Sequence, residues 1–91
     1  MNGESLNAEE IRAVREWLQS GKIWLSPAEA AKVLKCNPVS LTNAANQKGT
    51  LGSIQYYWAG ANLKISTMGV MRFLTGGYPL QEIFGTGRIG Q

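Results

Sequence analysis

Six residues of one short stretch, Ser40, Thr42, Asn43, Asn46, Gln47 and Lys48, bring hydroxyl, amide and ammonium groups together within nine positions. Their chemistry is recognition by hydrogen bonds rather than bond making. An Asn or Gln carboxamide presents a donor beside an acceptor and can pair in bidentate fashion with adenine in the major groove of a DNA duplex. Ser and Thr can contact bases or phosphates, and Lys48 can neutralise a phosphate. Asn and Thr are poor helix formers, so a helix surface that carries a run of them points to contact rather than to helix stability. Covalent chemistry has little to start from. The chain contains no His and no Asp, and its single cysteine, Cys36, can form no internal disulfide. A metal centre and a base-activated nucleophile both lack the residues they need, and Cys36 reads as a small packed side chain.

The bulk properties agree with a binding role. Ninety-one residues at 44% hydrophobic make one small domain that can bury a core but no deep catalytic cavity. No apolar run approaches the roughly 20 residues of a membrane span, and the N-terminus has no signal-peptide pattern. The expectation is a soluble, cytoplasmic, non-catalytic chain with no cofactor, no metal, no membrane contact and no small-molecule substrate. The net charge of +3 is unevenly spread: residues 1–20 hold four glutamates against two arginines, whereas residues 21–75 hold six cations against Glu29 alone. A basic middle module suits a polyanionic partner.

The elements that must position these groups follow from the stretch SPAEAAKVLKCNPVSLT, residues 26–42. Ser26, Pro27 and Glu29 are an N-cap, a proline at the first helical position and the acid of a capping box. This helix has Ala30, Ala31 and Leu34 as its inner face and ends at Lys35 and Cys36. Asn37 before Pro38 repeats the start signal, and the next helix runs over residues 38–48 to Gly49, with Leu41 and Ala44 or Ala45 facing the core. Two short helices joined by a turn of a few residues, neither stable alone, must pack steeply across their small side chains. That is a helix-turn-helix, with Ser40, Thr42, Asn43, Asn46, Gln47 and Lys48 on its outer face.

Flanking segments supply the rest. Ile11, Val14, Trp17 and Leu18 form one stripe of an N-terminal helix, capped by Ser5 or Asn7 and stopped at Gly21. It covers the core or, through Trp17, forms a dimer face. In SIQYYWAGANLKIS the period changes to two, giving a β-hairpin that turns over residues 59–62, where Gly60 and Asn62 can accept positive φ. Ile54, Leu63 and Ile65 should lie on the helices, alternation assigns Tyr56 and Trp58 to the core, and Tyr57, Asn62 and Lys64 are left to touch backbone phosphate or the minor groove. Ser66 then caps a helix over residues 67–75 with Val70, Met71 and Leu74 inward and Arg72 outward. Leu80, Ile83 and Phe84 suggest one further apolar turn before a glycine-rich tail expected to be mobile. Within it, Gly85 to Gly90 match G-x-G-x-x-G in letters only, since a dinucleotide loop needs a strand before it and a helix after it.

The order WLSPAEAAKVLKCNPVSL, KGTL, a short hairpin and LKISTMGVMRFL, over residues 23–75, resembles the excisionase and MerR-like family of small winged helix-turn-helix DNA-binding domains. The resemblance implies a domain that binds double-stranded DNA as an accessory factor in excision of mobile elements or as a transcription regulator. The helix 38–48 would sit in the major groove and the hairpin 56–64 would act as the wing. Family members usually carry several Arg or Lys on the reading helix and an Arg in the wing, whereas here Lys48 and Lys64 are the only charges in those elements. Fewer phosphate contacts imply weak binding by one copy and a shallow salt dependence. The resemblance also implies cooperative neighbours or a homodimer, for which the N-terminal helix is the candidate surface. The expected fold is therefore mainly α with a small β-hairpin, a winged helix-turn-helix at 23–75 between a packing or dimerisation helix at 1–22 and a glycine-rich tail at 76–91. A protein-interaction module on that scaffold and the DNA-recognition subunit of a phage packaging machine are the alternatives, because a fold alone does not confer a function.

Overall fold

A computed structural model of the chain describes residues 8–84. The cap at Ser5 or Asn7 and the segment from Gly85 to Gly90, with Arg88, lie outside them. Among the described residues the protein is mainly helical with a small three-stranded antiparallel sheet. In chain order the elements are α1 (Ala8–Gln19), β1 (Trp24–Leu25), α2 (Pro27–Leu34), α3 (Pro38–Asn43) continuing into a π-helical turn (Ala44–Lys48), β2 (Tyr56–Ala59), β3 (Asn62–Ser66), α4 (Thr67–Thr75) and α5 (Gln81–Phe84). No helix among them is long and apolar enough to cross a membrane.

Helix α1 lays its stripe on the core, with Val14 fully buried and Ile11, Trp17 and Leu18 packed against it, and its neighbours are α4 and α2. The start of α2 has the capping box expected of its sequence: the Glu29 amide donates to Ser26 Oγ at 3.2 Å and the Ser26 amide donates to Glu29 Oε1 at 3.1 Å. Lys22 holds the other oxygen of the same carboxylate. That ammonium, with help from Ser26 and against partial burial, keeps the Glu29 carboxyl below its ordinary range. At its far end α2 closes through Lys35 in the left-handed conformation, φ 61° and ψ 50°, and the Cys36 amide returns to the Ala31 carbonyl at 3.0 Å. A non-glycine residue there carries a steric cost of about 1 kcal/mol; its side chain reaches Glu10 at 3.3 Å. Asn37 then caps α3 by accepting from the Val39 amide at 2.8 Å.

Several features differ from the sequence expectation. The hairpin is not alone: Trp24 and Leu25 pair with Ser66 and Ile65, so β3 is a central strand between β1 and β2. A two-residue strand has too few positions to show alternation, which is why the period-two signal missed it. Trp58 is not core but 38% exposed, since it lies near the end of edge strand β2, where it lines an open cleft with Pro27 and Thr42 rather than being covered by them. Only Gly60 takes positive φ in the hairpin turn, and Asn62 is a strand residue. The core joins Leu25, Ala30, Ala31, Val33 and Leu34 to Leu41, Ala44, Ala45, Leu63 and Ile65. Helix α4 adds Val70, Phe73 and Leu74; Phe73 takes the inward place expected of Met71, completing an i, i+3, i+4 stripe.

The apolar turn suggested by Leu80, Ile83 and Phe84 is present as α5, and Ile83 is 1% exposed. Gly52 makes this docking possible. A Cβ on it would stand 2.6 Å from the Glu82 carbonyl oxygen, whereas a Cβ on Gly49, whose φ is similarly positive at 72° against 68°, would meet nothing within 4 Å. Gly52→Ala is expected to lose about 2 kcal/mol or more of stability in urea unfolding, and Gly49→Ala only about 1 kcal/mol, the backbone cost alone. The depressed Glu29 carboxyl sets a pH dependence. Its contribution is present above the ordinary glutamate value of 4.5 and fades as the pH falls below it. Thermal melts are expected to show a smaller Tm drop between pH 6 and pH 3, roughly, for Glu29→Gln than for the unsubstituted chain.

Candidate nucleic-acid interface

Helix α3 is held by its inner face. Leu41, Ala44 and Ala45 are buried, and the small alanines let it approach α2 closely. What remains outward is polar with one exception. Asn43, Asn46, Gln47 and Lys48 are exposed, Ser40 and Thr42 half-buried, and Val39 is 62% exposed. Val39 and Asn43, at i and i+4, lie opposite the buried face, and Asn46 follows, exposed, in the turn after them. Among the described residues, the amides of Asn43, Asn46 and Gln47 make no side-chain hydrogen bond, so their donors and acceptors are free for a partner. The Thr42 hydroxyl differs, since it donates to the Pro38 carbonyl at 3.2 Å and offers only acceptor capacity outward.

The second half of this helix is a π turn rather than the α-helix that the residue pattern suggests. The Gly49 amide donates to the Ala44 carbonyl at 3.1 Å, one residue further back than the α pattern, and Gly49 closes the turn in the left-handed conformation. The Ala45 carbonyl, the α-helical partner of that amide, instead accepts from the Tyr56 hydroxyl at 3.4 Å. Tyr56 therefore ties the wide turn carrying Asn46, Gln47 and Lys48 to strand β2. Such single π turns are rare and often found where function constrains a helix.

Two shallow clefts flank α3. Ser40, Asn43, Gln47 and Lys48 line one of about 220 Å³, floored by Ala44 and the half-buried Phe84 of α5. Thr42, Asn62 and Lys64 meet in the other, of about 200 Å³, with Trp58, Leu63 and the Ser26–Pro27 start of α2. Helix and hairpin thus bring together residues separated by twenty positions. Tyr57 is not part of either cleft. It stands on the outer face of the sheet, opposite Lys64 in register, with its ring edge-to-face with Trp24 at 4.7 Å.

Charge is sparser than the sequence count suggests. Lys22 and Lys35 are neutralised by Glu29 and Glu10, while Lys48 and Lys64 have no acidic partner among the described residues. Lys48 lines one cleft beside α3, whereas Lys64, paired in register with Tyr57, borders the other from the hairpin. Cys36, half-buried in the turn before α3, has its thiol pushed up by burial and so less able to ionise. Sequence reasoning missed Val39, Trp58 and Tyr56 as members of this region. Val39 was recoverable, being one helical turn before Asn43, but the π turn that employs Tyr56 leaves no periodic trace. The chain matches no protein-family model, and neither curated proteins nor solved structures include a significant match to it.

Tyr56→Phe is expected to lower stability by about 1 kcal/mol, the net worth of one hydrogen bond. It should also raise amide exchange at Gly49, whose turn it no longer ties down, as read by hydrogen–deuterium exchange.

Proposed function

We propose that this chain is a non-catalytic double-stranded DNA-binding module of winged helix-turn-helix type, acting in excision of mobile elements or in transcription regulation. Helix α2 and the turn at residues 35–37 present α3 and its π turn to the major groove, and the β2–β3 hairpin is the wing that follows the backbone. The observation that carries this reading is the pair of unpartnered amides, Asn43 and Asn46, on a helix whose opposite face is locked into the core, with the unpaired ammonium of Lys48 beside it and that of Lys64 on the neighbouring hairpin. Direct readout needs that combination: rigid placement, free donor–acceptor pairs and flanking phosphate contacts. Ser40, Thr42 and Gln47 extend the contact along the groove walls, and Asn62 and Tyr57 serve the wing. With two cations at the interface, one copy binds weakly and gains from cooperative neighbours. Trp17 is packed against the core beneath Lys22, so the polar outer side of α1 is the surface left for such a neighbour.

One observation favours a protein-interaction module instead. Trp24 and Tyr57 form an exposed aromatic pair on the outer face of the sheet, where a polypeptide partner could bind.

Fluorescence anisotropy of labelled duplexes separates the two. The DNA reading expects binding at low salt that weakens with a slope of log K against log salt of about −2, one counterion release for each of Lys48 and Lys64. Lys48→Ala should reduce that slope by about 1, and Asn43→Ala with Lys48→Ala should abolish measurable binding while thermal melting is unchanged. Unaltered affinity in that folded double variant, or no binding to any duplex at low salt, excludes it.

A further inference from the structure

The outer line of α3 contains an apolar residue where an ordinary solvated face would place a polar one. Val39 is 62% exposed, yet its backbone is fixed because its amide donates to the Asn37 cap at 2.8 Å. It lies in the first turn of the helix, and in helix-turn-helix readers the first residues of the second helix are those that meet base edges. A single exposed aliphatic residue means little by itself. Its place one helical turn before Asn43, with the exposed Asn46 in the turn that follows, gives it a meaning, since side chains along one exposed helix face would meet the groove floor in succession.

We infer that this face selects A·T pairs, with Val39 packing on a thymine C5-methyl group and the Asn43 and Asn46 carboxamides pairing with adenine N6 and N7. The inference rests on the DNA-binding reading above. Its chemistry favours A·T pairs on both strands. Adenine offers an acceptor beside a donor, the complement of a carboxamide, and thymine alone carries a methyl group in the major groove. Guanine presents two acceptors and is read best by arginine or lysine, and cytosine presents a donor read by a carboxylate. Residues 38–49 contain neither arginine nor any acid. Lys48, the one cation there, shares a cleft with Asn43, Gln47 and Phe84, one residue before the Gly49 that ends the helix and nine positions from Val39 at its start.

The test uses the full chain and a randomised duplex pool. Bound duplexes are recovered at low salt and sequenced, and the most enriched one is resynthesised with single replacements of thymine by uracil or of adenine by 7-deazaadenine. Uracil lacks only the methyl group and 7-deazaadenine only the N7 acceptor. We expect an A·T block in the enriched sequences. One uracil should weaken binding about fourfold, the burial of one methyl group, and one 7-deazaadenine about tenfold. In Val39→Ser the uracil penalty should vanish, with an unchanged melting curve because the side chain is outside the core. Enrichment of G·C-rich sites, retention without enrichment, or a uracil series with no effect at any thymine would overturn the inference and leave the DNA-binding reading in place. A pool that is not retained at all would overturn both.

Discussion

Two helices of eight and six residues, α2 and α3, are each too short to hold together in water, and everything the molecule presents depends on their packing against one another. Ala30 and Ala31 on one and Leu41, Ala44 and Ala45 on the other are buried in a single seam. Small side chains on both faces allow the close approach, and Leu41 fills what remains. Because burial fixes the inner face of α3, its outer face is fixed as well. The amides of Asn43 and Asn46 are held outward without hydrogen bonds of their own, an orientation obtained from packing alone.

The rest of the fold braces that seam. Strand β3 lays Leu63 and Ile65 beneath the helices and pairs on both sides, with β1 immediately before α2 and with β2 after the loop that follows the π turn. Position in the sheet thus ties the two ends of the helix pair to one strand. Tyr56 adds a second tie by donating to the carbonyl that the π turn releases. Helix α5 closes the same region from below, with Ile83 in the core and Phe84 under Ser40 and Gln47. Distant parts of the chain therefore converge on α3, and a change in any of them alters how Asn46 and Lys48 are presented.

Electrostatics is arranged around the same helix. The basic character of the middle of the chain is partly internal: Lys22 secures the capping box of α2 through Glu29, and Lys35 anchors the turn to α1 through Glu10. These pairs serve the fold, and of the cations in the helix-turn-helix and hairpin Lys32, Lys48 and Lys64 are left unpaired among the described residues. On the proposed DNA-binding reading, so light a charge suits selection by hydrogen bonds and methyl contacts more than tight non-specific binding, because the phosphate term that dominates non-specific affinity is small.

The sequence by itself determined the local signals. Ser26, Pro27 and Glu29 announced α2, Asn37 and Pro38 announced α3, Ser66 announced α4, and alternation announced the hairpin; each rests on contacts within a few residues, which composition and spacing encode. The outward placement of Asn43, Asn46, Gln47 and Lys48 was legible for the same reason, since helical period and the buried Leu41 settle it. Only the tertiary structure decided the rest. That Trp24 and Leu25 form a strand depends on a partner forty residues away, that Trp58 is exposed depends on the open cleft between hairpin and helices, and the carbonyl that the π turn at residues 44–48 releases is met by Tyr56 from a later strand. The pairing of Lys22 and Lys35 with acids, which leaves Lys48 and Lys64 unpaired among the described residues, is likewise a matter of chain reversal. Contacts between residues far apart in the chain leave no periodicity to read, so their outcome appears only once the chain has closed on itself.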